Sequence, residues 1–129
     1  MRHSHVTANL DEGVDFDEEG EGDIRFRFVH TDASNNNDDG FKLTEEDGGN
    51  VYARAVAATA FANGGKGIVL EEEDEGDFEA VVIRSSTADN DDSDDTGIEA
   101  VQQAPGTGTL RVVNSDIADG IDTDGVDQL

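Results

Sequence analysis

Two apolar runs, Ile68–Leu70 and Phe78–Ile83, are separated only by the acidic bridge Glu71–Glu75 and the dipeptide Gly76-Asp77. No other feature limits the fold as much. Runs this short have strand length, and Val81-Val82-Ile83 is the β-branched sequence that a strand covered on both faces favours. Gly76 allows a tight re-entry from the charged bridge, so Gly67–Ile83 reads as a β-hairpin. A lone hairpin is marginal in water, and further strands must cover it.

Candidates for those strands flank it on both sides. Ile24–Val29 alternates cleanly, with Ile24, Phe26 and Phe28 on one face and Arg25 and Arg27 on the other. Phe41–Thr44 resumes the alternation, Thr109–Val113 is the last good strand, and Gly97–Val101 is a short segment before the only proline. Val51–Phe61 is ambiguous: Val51, Ala55, Ala58 and Ala62 could line a helix, and Val51, Ala53, Ala55, Ala57 and Thr59 a strand. A strand over Val51–Ala57 is favoured, because Asn63-Gly64-Gly65 then feeds straight into the hairpin. The Asn/Asp/Gly-rich stretches Thr31–Gly40 and Arg84–Thr96 read as exposed loops and Ala104-Pro105-Gly106 as a turn. The expected fold is all-β: a small β-barrel or β-clip-like domain with acidic loops over residues 24–113. A flexible, extended N-terminal arm (1–23) precedes it and an acidic C-terminal segment (114–129) follows.

The core available to such a domain is small. Six Phe, one Tyr and no Trp leave Val, Ile, Leu and Ala to supply most of the buried area, with a thin margin over chain entropy. Against it stands a net charge of −24, from 32 acidic and 8 basic residues spread over every loop. At low ionic strength that charge drives the compact state apart, whereas the Debye length of about 3 Å at 1 M salt makes it tolerable. The pattern reads as adaptation to extreme salinity. Intrinsic disorder is the competing explanation of the acidity, but the central apolar runs have the length and spacing of strands. Nucleic acid is excluded as a partner because no basic stripe could displace phosphate counterions. No cysteine is present, and no apolar run approaches the ~18 residues of a membrane span. The N-terminus also lacks the apolar stretch of a signal peptide.

Little in the sequence suggests catalysis. His3 and His5 lie in the arm, His30 lies at a strand end, and no serine sits in a nucleophile-elbow context. Paired carboxylates carry no information in so acidic a chain. Gly106-Thr107-Gly108 lacks the glycine and lysine of a phosphate loop. Asp116, Asp119, Asp122 and Asp124 are weak candidate ligands for a hard cation, as is Asp89–Asp95, but neither stretch matches the spacing of an EF-hand loop. The expectation is a non-enzymatic protein with no committed cofactor, holding cations at most loosely.

The segment Gly67-Ile68-Val69-Leu70, bridge Glu71–Glu75, Gly76-Asp77 and Phe78–Ile83, preceded by Tyr52–Ala58, resembles the capsid decoration (cement) proteins of tailed double-stranded DNA viruses. That resemblance implies a virion structural protein, trimeric, stabilising an icosahedral capsid from its outer surface by binding the major capsid protein. It also implies that the N-terminal arm makes the contact. In this chain the arm's basic start (Arg2, His3, His5) and apolar anchors (Val6, Leu10, Val14, Phe16) are the expected capsid-binding residues. The acidity would then reflect a salt-loving archaeal host. The alternative from another class is a calcium-dependent cell-surface or filament adhesion module of a halophile.

Overall fold

The computed structural model describes residues 1–91, 96–103 and 105–129, and it is all-β, with 53% of the chain in strands. The strands recur as one triplet used five times. The first coil holds β1 (His5–Thr7), β2 (Val14–Glu18) and β3 (Ile24–Val29), and the second holds β4 (Asp32–Ser34), β5 (Phe41–Glu45) and β6 (Val51–Val56). The third holds β7 (Thr59–Phe61), β8 (Ile68–Glu72) and β9 (Phe78–Ile83), and the fourth β10 (Ser86–Ala88), β11 (Ile98–Gln102) and β12 (Gly108–Val113). A tighter last coil holds β13 (Asp116–Ile117), β14 (Ile121–Asp124) and β15 (Val126–Gln128). Each strand pairs in parallel with its counterparts one coil away, giving three five-stranded sheets ordered β1-β4-β7-β10-β13, β2-β5-β8-β11-β14 and β3-β6-β9-β12-β15. The molecule is a β-solenoid of about four turns.

This arrangement overturns the expected barrel and its central hairpin. β8 and β9 lie in different sheets, and each pairs with strands one coil before and after it rather than with the other. The bridge between them turns a corner of the solenoid. Alternation within a strand is the same in a hairpin and in a solenoid, so that signal cannot separate the two. What separates them is the recurrence of like residues after 27 positions, as in Asn36 and Asn63, which stacks like on like.

Each sheet turns one face inward. Phe41, Ile68 and Ile98 form one buried column, Leu43, Leu70 and Ala100 a second, and Val51 and Phe78 a third. Val82 is buried, whereas Ile83 is only half-buried, because its strand is covered on one face and not on both as the sequence implied. In the third sheet large residues of the first coil stand on small ones of the second: Phe28 stacks on Ala55, and Phe26 on Ala53. An aromatic cluster fills the first two coils, with ring centroids 5.6 Å apart for Phe16–Phe26, 4.5 Å for Phe26–Phe28 and 4.3 Å for Phe28–Phe41.

Strands β3 and β9 have the bounds expected from the sequence, and β5, β6, β11 and β12 differ from expectation by a residue or so. The stretches read as loops are less irregular than expected. Thr31–Gly40 contains β4 and the buried Asn36, and Arg84–Thr96 contains β10 and the buried Asn90. The Asp-rich run at 92–95 lies outside the described residues, as does Ala104 of the expected turn. Residues 1–23 are not set apart as an arm: β1 pairs with β4 and β2 with β5. Residues 114–129 likewise supply β13, β14 and β15, whose Ile117, Ile121 and Val126 pack against the core.

Candidate functional site

The corners of the solenoid hold its most ordered polar chemistry. At the corner between the β1 and β2 sheets, Asn9, Asn36, Asn63 and Asn90 form a column closed by Asp119. Asn36 Nδ2 donates to Asn63 Oδ1 at 3.0 Å, Asn63 Nδ2 to Asn90 Oδ1 at 2.8 Å, and Asn90 Nδ2 to Asp119 Oδ2 at 2.8 Å. The asparagines also donate to main-chain oxygens, Asn63 to Ala33 and Asn90 to Ala60. The side chains therefore satisfy backbone groups that the turning chain leaves unpaired. Asp119 only accepts, so it ends the column.

At the next corner Glu18, Glu45, Glu72 and Gln102 stand in register, and among them only Gln102 and Glu72 are joined side chain to side chain. Glu45 Oε1 accepts from Gly49 N at 3.0 Å, and Glu72 Oε1 from Gly76 N at 3.0 Å. Gln102 Nε2 donates to Glu72 Oε2 and to the Gly76 carbonyl. A glycine follows each of these residues because the coils nearly touch here: a Cβ on Gly76 would collide with the Gly49 carbonyl oxygen, and one on Gly49 with that of Gly22. Glu45 and Glu72 have no solvent exposure, and Glu45 Oε2 has no hydrogen-bond partner. Burial raises the Glu45 pKa above 4.5, hydrogen bonds from Gly49 and Asp47 oppose the rise, and the Glu72 and Glu18 carboxylates add to it.

A third, exposed polar column runs through Asp23, Asn50, Asp77 and Thr107. Asn50 Nδ2 donates to Asp23 Oδ1 at 2.6 Å, and Thr107 Oγ1 to Asp77 Oδ1 at 2.8 Å. Hydrogen bonds from Asn50 and then Arg25 hold Asp23 below its ordinary value, and those from Thr107 do the same for Asp77.

The residues expected in a capsid-binding arm form the rim of the first coil. Arg2 bridges to Val29, His3 stacks on His30 with ring centroids 5.1 Å apart, and His5 Nδ1 lies 3.2 Å from Asp32 Oδ2. Val6 and Val14 are half-buried; Leu10 is 91% exposed, and Phe16 is 45% exposed although it stands in an inward column. No coil lies over it among the described residues. Ser34 Oγ donates to Asp32 Oδ1, the same carboxylate that His5 meets. The hydroxyl thus reaches the acid rather than the imidazole, so this trio does not give a serine its base.

The four aspartates weighed as cation ligands do not converge. Asp116 is on β13, Asp122 and Asp124 project outward from β14, and both Asp119 oxygens accept from Asp89 and Asn90. Asp119 and Asp122 line a shallow groove of about 280 Å³ with Thr96, and a second of about 430 Å³ is lined by Gly20, Glu21, Asp47, Gly48, Asp74 and Glu75. The carboxylates that do converge are Asp11, Glu12 and Asp38, whose oxygens lie within 4.8 Å of one another. Neither this trio nor the corner columns stood out in the sequence reading. Both are visible only once the chain is written in lines of 27, where Asp11 falls above Asp38 and Glu18 above Glu45 and Glu72. Comparison with protein-family models, curated proteins and solved structures gives no match.

Proposed function

We propose that the protein is a non-catalytic structural module of a surface bathed in concentrated salt. The virus capsid suggested by the sequence resemblance is its setting, and the major capsid protein its partner. One observation carries this reading: the ordered polar side chains are spent on fixing the corners and joining one coil to the next, while the outward faces carry stacked acids. The Glu45, Asn63 and Asn90 side chains serve neighbouring backbone groups, so the chemistry of the interior is directed at rigidity. A rigid, acidic prism suits a decorating element that must stay folded and hydrated where salt competes for water. Attachment falls to the rim of the first coil, where Leu10 and Phe16 are exposed. The test is to locate the protein in producing cultures with an antibody, across gradient-purified particles, envelope and soluble fractions. Enrichment on particles is expected, and confinement to the soluble cell fraction would overturn the reading.

The Asp11, Glu12 and Asp38 trio favours a second reading, calcium-dependent adhesion. A chelator titration at constant molar KCl separates the two, because only the adhesion module would lose binding to cells when calcium is withdrawn.

A further inference from the structure

We propose that the two ends of the solenoid are complementary, and that copies of this chain stack head to tail, the last coil of one on the first coil of the next. Among the described residues the ladders end at β1, β2 and β3 along one edge, where the main chain of Met1–His3 meets only Arg27 and Val29 of β3, and at β13, β14 and β15 along the other. Such edges are templates for further strands. This inference rests on the ends of the fold and not on which surface the protein serves.

The observed register dictates what would meet. Following each column through the five coils places His5 of the next copy over Asp116, and Arg25 over Asp127. The first repeats across copies the His5–Asp32 contact already made within the chain. Inward columns continue as well: Val6 falls on Ile117, Val14 on Ile121 and Ile24 on Val126. Val6, Val14, Ile117, Ile121 and Val126 are all half-buried aliphatics, as expected of columns cut off at both ends. Phe16, which falls on Thr123, would also gain cover, so within a stack only the terminal copy keeps its first-coil rim free for attachment.

One face opposes the contact. Asp15 would stand over Asp122 and Asp17 over Asp124, and Asp119 offers no side-chain donor to Asn9. Stacked strands are about 4.8 Å apart, inside the Debye length of about 10 Å at 0.1 M salt and outside that of about 3 Å at 1 M. The stack therefore forms in molar salt and comes apart on dilution of the salt. Head-to-tail contacts that continue the solenoid along its own axis do not bend round to a ring, so assembly is open-ended.

The experiment is sedimentation velocity on the full chain in 3 M KCl over a range of protein concentrations, with circular dichroism confirming the fold. The expected result is a broad series of species growing with concentration. Arg25→Asp should weaken association about tenfold, Asp127→Arg should do the same, and the double variant should restore it. A folded monomer at every concentration, a closed dimer or trimer of fixed mass, or indifference to all three variants would each overturn the proposal.

Discussion

Glu45 has no solvent contact, yet it stands between the carboxylates of Glu18 and Glu72 with one oxygen unpartnered. Isolating a carboxylate charge there is costly, and the group answers by holding its proton more tightly. Because the folded pKa lies above the ordinary value of 4.5, the folded state binds more protons. Stability from this site is complete below about pH 4.5 and is lost as pH rises through the folded pKa. Glu45→Gln keeps the acceptor for Gly49 N and removes the charge. In molar KCl the variant should melt above the parent at pH 8 and level with it at pH 4. A variant that melts lower at pH 8 would show that the carboxylate is ionised and stabilising.

At the scale of the element, each coil turns one corner on a single left-handed residue, and the first four coils turn a second corner in the same way. His3, His30, Ala57, Arg84 and Asn114 occupy one such column, with φ of 49–50°, and Ala8, Asn35, Ala62 and Asp89 the other. Left-handed backbone strains any residue with a Cβ, so Ala57→Gly should stabilise the fold by about 1 kcal/mol, read from thermal or denaturant unfolding. The asparagine column predicts the opposite sign. Asn63→Ala would take from the Ala33 carbonyl its donor and from the Asn36 main-chain N–H and Nδ2 their acceptor in a buried corner, costing about 3 kcal/mol. Asn50→Ala, in the exposed column where water can substitute, should cost about 1 kcal/mol or less. These elements also show how far the sequence was legible. Strands such as Ile24–Val29 and Phe78–Ile83 announce themselves through alternation, which is local. Strands of three residues, such as Asp32–Ser34 and Ser86–Ala88, are too short to alternate, and they exist because the coils above and below pair with them. The inward-facing Glu45 and Glu72 read as solvent-facing acids, since burial of a glutamate is dictated by the corner and its glycine rather than by hydrophobicity. The 27-residue spacing of Asn9, Asn36, Asn63 and Asn90, shared by Glu18, Glu45 and Glu72, was the signal that could have shown both the corners and the parallel stacking.

For the whole molecule, parallel stacking turns a sequence charge into columns of like charge. Glu19, Glu46 and Glu73 fall one coil apart, and the Glu46 pKa is raised, first by Asp17 and then by burial, Glu73 and Glu19. Only three ion pairs, His5–Asp32, Arg25–Asp23 and Lys66–Glu99, are formed among the described residues, so most of the −24 has no internal counterion. Neighbours about 4.8 Å apart interact almost unscreened at 0.01 M salt, where the Debye length is about 30 Å, and are largely independent at 1 M. A globular fold would scatter the same acids over its surface, whereas a solenoid must align them coil upon coil. Folding is therefore expected to depend steeply on salt. Circular dichroism should show full β-structure in 2–4 M KCl and progressive loss on dialysis to about 0.01 M. The loss should be reversed equally by KCl and NaCl, since screening depends on ionic strength and not on ion identity. A thermal transition unchanged at low salt would refute this account, and recovery by divalent cations at millimolar concentration alone would shift it from screening to binding at sites such as Asp11, Glu12 and Asp38.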